Sequence, residues 1–164
     1  MKKIMYTRAD DGGLSVVIPA PKADIEKVLG SLTQEQYENH VWERSVPPNA
    51  INPRYVDIDG LPSTREFRNA WCDVTPEAKV DIDLVKAKDL QLNKMREERK
   101  PKLEASDTEF LLALEKGEDI TAIKAKKKKL RDATEPLKAL SVSGYNDPQV
   151  LAQIKLLGTL VEYT

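Results

Sequence analysis

Two side chains in this sequence could act as a nucleophile, a general base or a metal ligand. His40 is the only histidine of the chain and Cys72 is the only cysteine. A histidine-based metal site, a Ser-His-Asp triad or a Cys-His pair would each have to use His40. We interpret His40 instead as a group at the end of a short helix, where a cation interacts favourably with the helix dipole. Cys72 has no base at a suggestive spacing, which favours a small, buried apolar role.

Two short motifs could bind a phosphate group or a metal ion. Gly12-Gly13 lacks the rest of a phosphate-binding loop and does not lead from a strand into a helix, so it is interpreted as a turn. Asp57-Ile58-Asp59-Gly60 resembles the start of a calcium loop, but the glutamate expected at the twelfth position is missing. The carboxylates of Asp81 and Asp83 are expected to be solvated. The sequence therefore predicts no cofactor, no metal and no enzymatic activity.

The strongest local charge feature is a run of lysines over residues 126–129, accompanied by Lys124 and Arg131. Four successive positions wrap around a helix and do not line one stripe of it. The run also lacks the interleaved aromatic side chains typical of nucleic-acid binding. We interpret these lysines as covering a thin core with their stems while their charges complement an acidic neighbouring helix. A nucleic-acid-binding basic helix is the alternative.

The overall composition favours exposed helix around a small core. The 26 basic residues nearly balance the 27 acidic ones, so no global field attracts nucleic acid or an anionic membrane. Charged residues make up 32% of the chain and aromatic residues only 5%. No apolar run approaches the roughly 20 residues of a membrane helix, and no charged-then-apolar leader is visible. A cytoplasmic protein is expected.

The first half, residues 1–76, is expected to be a small α+β unit. Two runs rich in Ile, Tyr and Val flank residues 9–13, which predicts a β-hairpin. Thr33 and Gln36 have the spacing of a capping box, which predicts a helix over residues 33–40. Four further elements are predicted: a short helix closed by Gly30, a candidate strand over residues 41–46, a proline-rich loop over residues 47–54, and a strand over residues 55–58.

The second half, residues 77–164, is expected to be a long antiparallel helical hairpin followed by a short helix. Residues 82–116 contain no glycine and are rich in helix-forming residues. Pro101 should kink or break this helix near Arg99, at a cost of about 3 kcal/mol. The apolar residues form a narrow seam, with Arg99 and Ser106 at intervening positions; its members are Leu92, Met95, Leu103, Phe110 and Leu114.

The return helix of the hairpin is predicted from Ile123 and Leu130, which lie seven residues apart on one face. Glu135-Pro136 should stop this helix. Asp147 as N-cap and Pro148 as first helical residue then predict a short C-terminal helix.

The motif Arg99, Leu103, Ser106-Asp107, followed by Leu130-Arg131-Asp132, resembles elements near the end of bacteriophage tail fibre and tail assembly chaperones. The similarity covers residues from about 95 to 134 and departs from the family in two respects. The usual tryptophan after the Ser/Thr-Asp pair is absent, with Phe110 the nearest aromatic residue, and lysines precede Leu130. The N-terminal half resembles uncharacterised small proteins of phage structural gene clusters.

The resemblance implies a non-enzymatic phage protein that binds tail or tail fibre components in the host cytoplasm during virion assembly. The alternative is an adaptor or decoration subunit that stays in the virion, and homo-oligomerisation is left open. Ion pairs between Arg99 and Asp132, or between Arg131 and Asp107, are predicted to fix the hairpin register. The predicted partner-binding or register residues are Arg99, Leu103, Asp107, Phe110, Leu130, Arg131 and Asp132.

Overall fold

The computed structural model describes residues 2–57, 61–62, 65–74 and 80–159. The chain divides into two compact units, Met1–Ile82 and Asp83–Thr164. The predicted α+β class is confirmed, with a β-hairpin at the start, a long helix and further helices after it. The boundary predicted after residue 76 lies outside the described residues, as do most of the predicted calcium loop and the end of the strand predicted over residues 55–58.

The first unit is built around a three-stranded antiparallel sheet. Strand β1 (Lys3–Thr7) lies between β2 (Leu14–Val17) and β3 (Ile51–Val56). The β1–β2 turn contains Gly12, whose φ of 63° lies in the left-handed region that favours glycine. This agrees with the interpretation of Gly12-Gly13 as a turn. Ile4 and Met5 of the central strand are fully buried, as expected for the strand that has a neighbour on each side.

Two helices complete the first unit. Helix α1 (Lys22–Leu29) ends at Gly30, and α2 (Gln34–Ser45) begins at the predicted capping box. The Thr33 hydroxyl accepts from the Gln36 N–H at 3.1 Å, and the Gln36 side chain accepts from the Thr33 N–H at 2.8 Å. Tyr37 and Val41 of α2 pack with Ile4 in one hydrophobic cluster.

Two predictions of secondary structure in the first unit are wrong. Residues 41–46 are not a strand, because α2 runs on to Ser45 and buries Val41 one turn after Tyr37. Residues 47–54 are not all loop, because β3 begins at Ile51 and contains Pro53. Strand β3 lies at an edge of the sheet. Its pairing register with β1 shifts near Asn52, which has φ of 52°. An edge position with such an irregularity tolerates the missing N–H of Pro53.

A second, two-stranded pairing joins β4 (Trp71–Cys72) to β5 (Asp81–Ile82). A single-turn 3-10 helix, Arg68–Ala70, precedes β4. Asp81 was predicted to be solvated, but it is buried and its carboxylate accepts from the Val74 N–H at 3.2 Å. Arg54 of β3 makes a bidentate pair with Asp73 at 2.5 and 2.6 Å, which ties this segment to the sheet and raises the pKa of Arg54.

The second unit is organised along one helix, α3 (Leu84–Lys116), whose 33 residues span about 50 Å. Its first turn is capped by Asp83, which accepts from the N–H groups of Val85 and Lys86. The break predicted near Arg99 is wrong, because the helix is continuous through Pro101. Pro101 is exposed, so water can satisfy the carbonyl that its ring leaves without a donor.

Three shorter helices cover this long helix in turn. Helix α4 (Thr121–Asp132) runs back along its C-terminal half, and α5 (Glu135–Ala139) and α6 (Pro148–Leu157) pack against its N-terminal half. Pro136 does not simply stop α4, since it occupies the first turn of α5, where a missing N–H costs nothing. The Asp147 carboxylate caps α6 as predicted.

Candidate protein-interaction site

The predicted seam closes within the chain, against α4 along the C-terminal half of α3 and against α5 and α6 along its N-terminal half. Leu92, Met95 and Ala113 are buried on α3, and Leu130 of α4 is only 1% exposed. Leu114 does not belong to this seam, because it is 50% exposed and the neighbouring Ala113 takes the inward position. A small residue at that point allows the two helix backbones to approach each other closely near the turn.

The two polar seam positions, Arg99 and Ser106, both face inward. The Arg99 guanidinium donates to the Arg131 carbonyl at 2.8 Å and lies 3.5 Å from the Thr134 hydroxyl. The carbonyl of Arg131 belongs to the last turn of α4, where helical carbonyls lack N–H partners, so Arg99 caps the end of the returning helix. Ser106 is fully buried, and its hydroxyl has no partner among the described residues.

The register of the hairpin is fixed by lysines and not by the predicted arginines. Lys127 pairs with Asp107, and its Nζ lies 4.9 Å from the centre of the Phe110 ring. Lys126 pairs with Glu109 at 3.3 Å on the opposite side of the seam. These two lysine pairs replace the predicted pairs of Arg99 with Asp132 and of Arg131 with Asp107. The two successive lysines lie on either side of the seam, so each reaches an acidic residue on a different side of α3.

The turn of the hairpin is held by local hydrogen bonds. Gly117 adopts φ of 70°, and the Glu118 N–H donates to the Ala113 carbonyl at 2.9 Å, which closes α3. The Asp119 carboxylate accepts from both the N–H and the hydroxyl of Thr121 at the start of α4. These bonds lower the pKa of Asp119 by favouring its charged form. The turn is thus a defined structure that presents the ends of both helices.

An exposed apolar surface surrounds this turn. We define the hairpin tip as residues 110–123. Three of its leucines face solvent: Leu111 is 60% exposed, Leu112 49% and Leu114 50%. Phe110, Ile120 and Ile123 are half-buried beside them. None of the three leucines is needed to close the seam; Leu111 and Leu114, three residues apart, lie on the same face of α3, and Leu112 lies on the neighbouring face.

The lysine run is divided between two roles. Lys126 and Lys127 are half-buried and turned to acidic partners on α3, as the sequence interpretation expected. Lys124, Lys128 and Arg131 are exposed at spacings of four and three residues, which places them on one flank of α4. This basic stripe was not predicted from the sequence, because the run of four consecutive lysines obscures the helical spacing of Lys124, Lys128 and Arg131.

The residues predicted for partner binding or register occupy three kinds of position. Leu130 is buried in the hydrophobic core, whereas Arg99, Leu103 and Phe110 are half-buried along the seam. Asp107 and Arg131 are exposed but engaged through Lys127 and Arg99 respectively. Asp132 is exposed beside Lys128, Lys129 and Pro136 at the mouth of a shallow depression.

The groups considered for catalysis, His40 and Cys72, belong to the first unit. His40 is in the middle of α2 and not at its end, so the interpretation through the helix dipole is wrong. Cys72 is half-buried in β4. Within the described ranges, no group of three or more metal-ligating side chains could hold a metal ion, and no helix is long and apolar enough to cross a membrane.

Comparisons with protein-family models, with curated proteins and with solved structures give no match to this chain.

Proposed function

We propose that this chain is a non-enzymatic protein that binds another protein through its hairpin tip. The observation that carries the proposal is the exposure of Leu111, Leu112 and Leu114 on a hairpin whose own seam is already closed. Burying the exposed half of a leucine side chain stabilises a complex by about 1 kcal/mol. Leu111 and Leu114, which share one face of α3 beside the turn, therefore form the anchor for a partner, and Leu112 extends it to the side.

The hairpin is also rigid enough to present that anchor. The ion pairs of Lys126 and Lys127, the bond from Arg99 to α4, and the closed turn hold both helices in one register. A preorganised surface loses little conformational entropy on binding. The exposed basic stripe of Lys124, Lys128 and Arg131 adds a long-range attraction toward a partner with an acidic surface.

We further propose that the partner is a tail or tail fibre component of a bacteriophage, bound during virion assembly. This part rests on the resemblance of Arg99, Leu103, Asp107 and Leu130-Arg131-Asp132 to tail fibre and tail assembly chaperones. In the hairpin, Arg99 caps α4 and Asp107 pairs with Lys127, so these two residues would maintain the binding surface more than contact the partner directly.

Co-expression with candidate tail and tail fibre proteins, followed by size-exclusion chromatography, tests the proposal. We expect one of them to co-elute with this chain. A correctly folded chain that forms no complex with any of them would contradict the phage assignment. Mass spectrometry of purified particles then separates a chaperone, which should be absent, from an adaptor or decoration subunit, which should be stoichiometric.

A further inference from the structure

A small depression lies beside strand β2 in the first unit, away from the helical hairpin in the sequence. It has a volume of about 230 Å³. Its lining combines apolar and cationic side chains, namely Val16, Ile18, Leu61, Arg65, Arg68 and Trp71. The proposed protein-binding role of the hairpin does not use any of these residues.

The polar part of the lining consists of hydrogen-bond donors. Arg65 and Arg68 are exposed, and neither makes an ion pair with any part of the chain that the structure describes. Trp71 is 4% exposed, and its indole N–H has no acceptor among the described residues. Trp71 is itself a residue of the lining, so its indole N–H reports on a ligand bound in the depression. Among the residues that the structure describes, no acidic side chain lines the depression.

The apolar part of the lining includes residues of strand β2 and next to it. Val16 lies in β2, and Ile18 follows that strand with more than half of its surface exposed. Strand β2 is at an edge of the sheet as described, so its outer side can pair with an added extended chain. A ligand that fits this depression therefore needs an anionic end for the arginines and a small apolar body.

We propose that the depression binds a carboxylate carried on a small branched apolar group. A carboxylate offers two oxygens to the fork of a guanidinium group, whereas a phosphate has three strong acceptor oxygens that need more donors. The volume is below that of drug-sized pockets, which suits a single terminal group. The same chemistry occurs at the C-terminal residue of a peptide and in a free branched carboxylic acid.

Titrations of the ¹⁵N-labelled full chain, followed by amide and indole NMR signals, test this proposal. The probes are 4-methylpentanoate, a tetrapeptide ending in leucine with a free carboxylate, and the same peptide amidated. We expect saturable shifts of the Trp71 indole N–H and of the Val16 and Ile18 amides with the free carboxylates and not with the amide. Tighter binding of the peptide than of the free acid identifies a peptide terminus as the source, and equal binding identifies the acid.

Substitutions separate specific binding from a general effect of charge. Arg65→Gln and Arg68→Gln should each weaken binding by about tenfold or more, since each removes a charge-assisted hydrogen bond. Arg44→Gln, at an exposed arginine of α2, should leave binding unchanged. The proposal is overturned if no carboxylate gives a saturable shift up to about 10 mM, if the double arginine variant binds as well, or if inorganic phosphate binds more tightly than both carboxylates.

Discussion

Lys127 of α4 pairs with Asp107 of α3, and the same ammonium group lies against the Phe110 ring, 4.9 Å from its centre. The Lys127 side chain is only 15% exposed, whereas that of Asp107 is 58% exposed. One lysine thus joins the two helices through charge and places its ammonium group over the aromatic seam residue.

A double-mutant cycle with Lys127→Met and Asp107→Asn measures how much the ion pair between these two residues contributes to stability. We expect a coupling free energy of about 0.5 kcal/mol, because the exposed carboxylate is screened by water. The coupling should decrease in high salt. Chemical denaturation of the unaltered chain, the two single variants and the double variant gives this coupling free energy. A coupling of zero at low salt would show that the ion pair does not stabilise the hairpin.

Leu130 and Leu114 provide a paired test of where the seam lies. Leu130→Ala should destabilise the second unit by about 2–5 kcal/mol, because it leaves a cavity between α3 and α4. Leu114→Ala should cost less than about 1 kcal/mol, because half of that side chain is already in solvent. Thermal unfolding followed by circular dichroism distinguishes the two. Equal losses would place Leu114 back in the seam.

Gly158 is required by a close approach and not by its backbone conformation. Its carbonyl accepts from the buried Gln91 side chain at 2.8 Å, and a Cβ at this position would overlap that side chain. Gly158→Ala should therefore destabilise the packing of α6 on α3 by about 1–3 kcal/mol. In a protein that already carries Gln91→Ala, Gly158→Ala should lower the free energy of unfolding by less, because the side chain that the Cβ would overlap is absent. Strictly additive free energies in denaturant titrations would rule out this steric explanation.

The β1–β2 turn should show a local dependence on pH. Asp11 accepts from the Arg8 guanidinium at 2.6 and 2.9 Å and from the Gly13 N–H at 2.8 Å. These bonds lower the pKa of Asp11 from its usual 3.8 to about 2. Because the folded-state pKa is the lower one, the contribution of Asp11 to stability is present above pH 3.8 and is lost as the pH falls through about 2.

An NMR titration of the Asp11 carboxyl carbon measures this pKa directly. Arg8→Gln should return the pKa toward its usual value, since the largest cause of the shift is removed. Gly13→Ala should act in the same direction, because a Cβ there would overlap the Arg8 guanidinium. Lys27→Gln, at an exposed pair on α1, should leave the Asp11 pKa unchanged. A normal pKa in the unaltered protein would contradict the hydrogen-bond pattern of the turn.

Local sequence signals predicted the elements whose determinants are neighbours in the chain. The capping box of Thr33 and Gln36, the Asp147 N-cap and the glycine turn before β2 all form as expected. Each of these depends on hydrogen bonds that span only a few residues, so spacing alone specifies them. The two-helix pattern of the second half was also predicted, because its apolar periodicity is long and regular.

The incorrect predictions concern features that depend on distant parts of the chain. Strand β3 forms despite Pro53 because β1 supplies its hydrogen bonds, and the pattern of residues 47–54 contains no sign of that pairing. Leu114 and Ala113 differ by one helical position, so a small rotation of α3 decides which one faces α4. Arg99 binds a main-chain carbonyl, a partner that no sequence motif specifies.

The central claim is that the hairpin tip binds a partner protein, and a calorimetric titration of the co-eluting tail component tests it most directly. Leu111→Glu combined with Leu114→Glu should weaken binding by at least about 100-fold, because both exposed leucines become charged at the anchor. The matched control, Leu156→Glu on the exposed side of α6, should bind like the unaltered chain, and all variants should retain its helical circular dichroism. Full affinity in the tip variant, or an equal loss in the Leu156 variant, would contradict the proposed site.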